Sequence, residues 1–191
     1  MKIEYEATFT KVDKNEIREK LKLVGAQLIK SEFLMKRTVF NLPAGHEING
    51  GWLRVRDEGD KITMSLKIVN AGKVEDQKET CLVVNDYNES ILFLKEIGCR
   101  EKSYQETKRE LWFLDDVEIT IDEWPFLEPF VEIEGNSEEA IKMVSKKLSF
   151  NYSQALFCAV DTLYSMKYGI PEEFVDKVPL IIFNNNNPFI K

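Results

Sequence analysis

Glu4-Tyr5-Glu6 near the start of the chain and Glu132-Ile133-Glu134 near its end share one pattern, two glutamates flanking a single apolar or aromatic residue. On a strand, residues two apart point to the same face about 7 Å from each other. Each pair therefore sets two negative charges side by side. A cation between or opposite the carboxylates relieves their repulsion. Mg²⁺ and Mn²⁺ are hard ions that favour carboxylate oxygen, so Glu4, Glu6, Glu132 and Glu134 are candidate metal ligands.

The positive counterpart lies mid-chain. Trp52-Leu53-Arg54-Val55-Arg56 puts Arg54 and Arg56 on one strand face. The following stretch, Lys61 to Lys67, alternates polar and apolar residues and places Lys67 with Thr63 and Ser65. Arg109 and the segment Val117-Glu118-Ile119-Thr120-Ile121-Asp122 extend the same design, with one oily face and one charged face. Glu118 and Thr120 are evenly balanced between lining a site and facing solvent. Arginine binds phosphate through a planar fork and lysine acts as a point charge. Carboxylates for a metal together with several cations suit a polyphosphate, which carries charge along its length. Neither a Gly-x-x-x-x-Gly-Lys loop nor a Gly-x-Gly-x-x-Gly turn occurs, so phosphate must be held by side chains.

These residues need a scaffold. The alternation predicts strands over about 2–10, 27–41, 51–57, 60–69, 75–84, 103–114, 117–123 and 129–134. Asp57-Glu58-Gly59-Asp60 and Asn70-Ala71-Gly72-Lys73 are read as turns between successive strands. Asp13 with Glu16 caps a helix over about 14–24 that Gly25 stops, and Asp86 with Glu89 caps one over about 87–97 that ends at Gly98. Strand, helix and three strands thus occur twice, in pattern and not in residue identity. A third helix starts near Ser137, with Asn136 and Glu139 as its capping box. A fourth is expected from Ser153, with Leu156, Phe157, Val160, Leu163 and Tyr164 on one side. Residues 1–170 form one domain and 171–191 a C-terminal tail, whose Asn184-Asn185-Asn186-Asn187-Pro188 run is loose.

Eight antiparallel strands can close into a barrel. Alternation alone does not say which face points inward. Enough amphipathic helices are present to cover the oily faces outside, which favours an α+β fold: an eight-stranded antiparallel β-barrel with a polar tunnel, covered by helices.

The 191 residues suffice for a sizeable core, and the formal net charge of −7 argues against nucleic-acid or anionic-membrane partners. No apolar run is long enough to span a bilayer. Cys81, Cys99 and Cys158, an odd and unclustered set, read as small buried hydrophobes in a reducing, cytoplasmic setting. His46, the single histidine, falls in a loop, so a zinc site built on imidazoles has little material.

The order Glu4-x-Glu6, Leu53-Arg54-Val55-Arg56, Ser65-Leu66-Lys67, Arg109, Asp122 and Phe130-Val131-Glu132-Ile133-Glu134 resembles the CYTH superfamily. These are the triphosphate tunnel metalloenzymes, which include class IV adenylyl cyclases, thiamine triphosphatases and inorganic triphosphatases. The resemblance runs from about residue 1 to 168. It implies an eight-stranded tunnel, Mg²⁺ or Mn²⁺, and a triphosphate such as ATP, thiamine triphosphate or inorganic triphosphate. Carried over by position, it makes Glu4, Glu6, Glu132, Glu134 and Asp122 metal-side carboxylates. Arg54, Arg56, Lys67 and Arg109 become phosphate ligands. Cyclase, hydrolase and a binding protein without turnover all remain open, as does a homodimer. Two departures stand out. The family signature Glu-x-Glu-x-Lys ends here in Thr8, whose hydroxyl supplies neither positive charge nor an ammonium proton. Lys36-Arg37-Thr38-Val39-Phe40 stands where the family carries an Asp-Thr-Tyr type of strand.

Overall fold

The structure, a computed structural model, describes residues 1–70, 73–183 and 186–190, and of residue 75 the backbone alone. Its strands are β1 (Lys2–Phe9), β2 (Gln27–Asn41), β3 (Gly51–Asp57), β4 (Ile62–Val69), β5 (Gln77–Val84), β6 (Arg100–Leu114), β7 (Val117–Glu123), β8 (Phe130–Gly135) and β9 (Leu180–Ile181). Its helices are α1 (Lys14–Leu23), α2 (Tyr87–Glu96), α3 (Glu138–Lys147), α4 (Val160–Tyr168) and α5 (Glu172–Val175).

The first eight strands run in the order β2-β3-β4-β5-β1-β8-β7-β6, and β6 pairs back onto β2 to close the barrel. Every pairing in the ring is antiparallel. The repeated plan seen in the sequence is real at this level. Exchanging β1 with β5, β2 with β6, β3 with β7 and β4 with β8 reproduces the same order read backwards. Closure leaves few free edges, which removes the usual liability of an exposed ladder.

The oily faces point outward, under helices. Ala7, Phe9, Ile119, Ile121, Val131 and Ile133 form one core with Ile17 and Leu21 of α1 and Ile141 and Val144 of α3. Phe40 and Val55 form another with Leu94 and Cys99 at α2. Asp13 caps α1 by accepting from the Asn15 and Glu16 amides, and Asp86 caps α2 through the Glu89 amide. Both helices end on glycines in the left-handed region, Gly25 at φ 78° and Gly98 at φ 93°, where a Cβ would be strained.

Several expectations are corrected. Ser137, and not Asn136, caps α3, by accepting from the Ala140 amide. The fourth helix starts at Val160 and not at Ser153; Tyr152–Gln154 is a 3₁₀ turn. The reason is long-range: Leu156 exchanges both backbone hydrogen bonds with Thr8, each 2.9 Å, so this stretch extends beside β1 and cannot coil. Cys81 is exposed, whereas Cys99 and Cys158 are buried; all three are free. The expected turn over 70–73 lies partly outside the described residues, as does the loose run at 184–188. Around the latter, the chain packs. Val175, Val178, Ile181 and Phe189 join Trp124, Phe130 and Tyr164 in a third core, and β9 pairs in parallel with β6 at Tyr104 and Gln105. No helix among the described residues is long and apolar enough to cross a membrane.

Candidate functional site

The inward faces of the strands enclose a cavity of about 530 Å³, within the roughly 300–1,000 Å³ of small-molecule sites. Glu4, Glu6, Glu132 and Glu134 line it, and so do Arg54, Arg56, Lys67 and Arg109. Of the site residues expected from the sequence, only Asp122 is not at its wall. Glu118 and Thr120 line it too.

Strand register sorts these charges by sign. Glu6 stands directly opposite Glu134, and Glu134 opposite Glu118, giving one acidic row across β1, β8 and β7. On the other side, Arg37 of β2 stands opposite Arg56 of β3. Like charges placed directly opposite each other destabilise a sheet. Both rows are therefore arrangements that a bound ion of the opposite sign would relieve.

Local ion pairs stitch the two walls together. Arg54 donates from Nη2 to both Glu79 oxygens, at 3.0 and 3.2 Å, and from Nε to the Ser65 hydroxyl at 3.1 Å. Lys67 Nζ lies 3.3 Å from Glu6 Oε2 and 3.4 Å from Glu4 Oε2, so it is the cation between these two glutamates in the structure. Arg56 Nε donates to Glu58 Oε1 at 2.9 Å. Arg109 grips Asp122 with two bonds, of 2.7 and 2.6 Å, and Glu132 with one of 2.7 Å. Asp122 also accepts from the Thr120 hydroxyl. Its carboxylate is fully buried and holds Arg109 in place.

The acidic wall carries more negative charge than its partners neutralise. Burial, against Lys67 and with help from Glu134 and Glu79, pushes Glu4 up to about 7. Burial with Glu6 and Asp122 nearby holds Glu132 well above the ordinary value, though Arg109 opposes it. Glu134 is raised by burial, then by Glu6 and Glu118. Glu4 Oε2 is buried without a hydrogen-bond partner. Glu79 behaves oppositely: burial works upward, but Arg54, Ser65 and Lys67 outweigh it and hold it down. These carboxylates fit a divalent cation by donor type and by surplus charge. Among the described residues no three acidic, histidine or cysteine side chains converge as a ready-made coordination group, and Lys67 occupies the place between Glu4 and Glu6.

The raised carboxylates set a pH dependence. Glu4 stands near 7 in the fold against 4.5 ordinarily, so folding takes up protons between those values. Its contribution to stability is fully present below pH 4.5 and is lost as the pH rises through about 7. Glu132 and Glu134 act in the same direction. In chelator, the melting temperature is expected to fall between pH 5 and pH 8, and Mg²⁺ at pH 8 should restore part of it. A flat melting profile over that interval would show that the wall is not crowded with charge.

Sequence reading missed Arg37, Gln77 and Glu79, which all line the cavity. Gln77 and Glu79 alternate on one strand face, so a period of two through β5 would have found them. Arg37 gave no such signal, because its same-face neighbours Met35 and Val39 are apolar. Thr8 is 2% exposed, opposite Glu132 and tied by its backbone to Leu156.

An antiparallel barrel whose interior is polar and sorted by charge is a tunnel fold. The chain belongs to the CYTH family: the CYTH domain matches residues 2–162. Members of that family are triphosphate-tunnel enzymes, adenylyl cyclase-like and triphosphatase among them. No curated protein matches the chain in sequence. Among solved structures, the PH1012 protein of Pyrococcus horikoshii OT3 is 20% identical, with a TM-score of 0.67 over 80% of this chain and 94% of that one. A Vibrio parahaemolyticus protein provisionally described as an adenylate cyclase is 11% identical, with a TM-score of 0.71 over 86% of this chain and 98% of that one. The Hippeastrum protein HpAC1, provisionally described as an adenylyl cyclase and found to have a dominant triphosphatase activity, is 13% identical, with a TM-score of 0.55 over 91% and 99%. At these identities the likeness is one of fold.

Proposed function

We propose that the chain binds a triphosphate in its tunnel together with Mg²⁺ or Mn²⁺ and cleaves it. The observation that carries this reading is the sorting of like-charged rows: Glu6, Glu134 and Glu118 on one wall, Arg37 and Arg56 on the other. Arg54, Arg56, Lys67 and Arg109 would hold the phosphate oxygens. Glu4, Glu6, Glu132 and Glu134 would hold the metal, which when bound neutralises phosphate charge and polarises the phosphoryl group. Asp122, expected from the family position to serve the metal, is better placed to orient Arg109.

In the hydrolytic version a water oxygen bonds to the terminal phosphorus, the bond from that phosphorus to the bridging oxygen breaks, the diphosphate end leaves with that oxygen, and orthophosphate and a proton are released. In the cyclising version the ribose 3′-hydroxyl of ATP bonds to the α-phosphorus and pyrophosphate leaves. Purified protein incubated with ATP, thiamine triphosphate and inorganic triphosphate, each with Mg²⁺ or Mn²⁺, separates these by product. Turnover of none of them removes the enzymatic reading.

One observation favours a second reading, a triphosphate-binding protein without turnover. The position of the family lysine is filled by Thr8, buried and without positive charge. Thr8→Lys is then expected to raise turnover by about a hundredfold, the lower end of what a positioned proton-transfer group contributes (about 10²–10⁴). Initial rates on inorganic triphosphate, wild type against variant, check it. No gain in rate would mean that the lost lysine is not what limits the site.

A further inference from the structure

Eight lysines and arginines line the cavity: Lys30, Arg37, Arg54, Arg56, Lys61, Lys67, Lys102 and Arg109. Seven of them have a carboxylate within ion-pair distance. Arg37 is the exception among the described residues. Its side chain is 6% exposed. The guanidinium carbon lies 4.5 Å from the centre of the Trp124 ring. Nη2 donates to the Thr107 hydroxyl at 2.9 Å, and Nε is buried with no hydrogen-bond partner. Burial and the positive charges of Arg54, Arg56 and Arg109 disfavour its charged form, and Asp122, beyond ion-pair distance, opposes them without overcoming them.

A buried cation without a counter-ion is a costly thing to keep. Stacking on Trp124 favours the cation, but by less than the burial of an ion costs. The planar fork, held through Nη2 by the Thr107 hydroxyl at the cavity wall, is fixed in orientation and suits an oxyanion. The other three arginines share their charge between an acid and an incoming polyanion, whereas Arg37 has no carboxylate within ion-pair distance to share with.

We propose that Arg37 is a ligand for the polyanion, its guanidinium gripping a phosphate group at the cavity wall, and that the fold keeps it at the expense of stability. This rests on the tunnel being a triphosphate site. It adds the residue that would make the site favour a ligand of high charge density, since relief of the Arg37–Arg56 row grows with the anion's charge. Inorganic tripolyphosphate should therefore be preferred over pyrophosphate through Arg37 in particular.

The test compares wild type with Arg37→Met. Affinity for inorganic tripolyphosphate and for pyrophosphate is measured by calorimetry in chelator and in Mg²⁺, and melting is measured without ligand. Charge-assisted hydrogen bonds of this kind correspond to a loss of roughly tenfold to a hundredfold in Kd. We expect that loss for tripolyphosphate, a smaller one for pyrophosphate, and a melting temperature without ligand equal to or above wild type. Unchanged tripolyphosphate affinity in Arg37→Met would overturn the ligand role. A lower melting temperature without ligand would overturn the claim that the residue is kept at a cost. Arg37→Lys, which keeps charge and loses the fork, should bind with intermediate affinity, and serves if the methionine variant does not fold. If wild type itself fails to bind tripolyphosphate with or without Mg²⁺, the tunnel reading falls and this proposal with it. If wild type binds and both variants bind equally well, only the role of Arg37 falls.

Discussion

Replacing Arg109 with alanine is expected to cost the fold about 3–5 kcal/mol, the range for removing one partner of a buried ion pair. Asp122 is fully buried, and its two oxygens accept three hydrogen bonds, two of them from Arg109. Glu132 accepts from the same guanidinium and is already held in a raised state by its surroundings. Without Arg109, Asp122 must ionise unpaired or take up a proton, and either route weakens the fold. Urea denaturation at pH 7 measures the loss. Adding Asp122→Asn to the alanine variant should recover part of it, because the uncompensated charge is then gone; the non-additivity gives the coupling. A loss under about 1 kcal/mol for Arg109→Ala would mean that the pair is solvated in solution, contrary to its enclosure here.

The second large effect concerns the division of labour across the tunnel. Arg56→Ala is expected to weaken inorganic tripolyphosphate binding about equally with and without Mg²⁺. Truncating one partner of a buried charge pair costs about 2–5 kcal/mol, which is roughly thirtyfold or more in Kd. Glu134→Gln should do something different. It removes one charge from the Glu6-Glu134-Glu118 row, so binding in chelator should hold or improve, while the gain produced by Mg²⁺ shrinks. Calorimetric titrations of both variants in chelator and in Mg²⁺ make the comparison. The same metal dependence in both variants would abolish the separate roles of the two walls.

Much of the site was legible in the sequence because a strand writes its faces into a period of two. Glu4 and Glu6, Arg54 and Arg56, and Glu132 and Glu134 each reach the cavity as same-face neighbours. Caps and glycine stops likewise located α1 and α2, since those interactions lie within a few residues. Leu156 and Phe157 behave differently. Their spacing imitates a helical stripe, but the backbone bonds to Thr8, far away in sequence, decided the conformation. Asp122 is a related case. Its place on a polar face was readable, and its capture by Arg109 depended on register between β6 and β7.

Residue order alone is enough to say which residues share a strand face, where the first two helices begin and end, and that acids and bases are carried on separate segments. Those follow from backbone periodicity and short-range hydrogen bonding. It takes three dimensions to turn the charged faces inward, to align Glu6, Glu134 and Glu118 in one row, and to set Arg37 beside Arg56 with no carboxylate within ion-pair distance among the described residues. Barrel closure and strand register bring distant segments together, and the cost of burying each charge depends on the neighbours that this closure supplies.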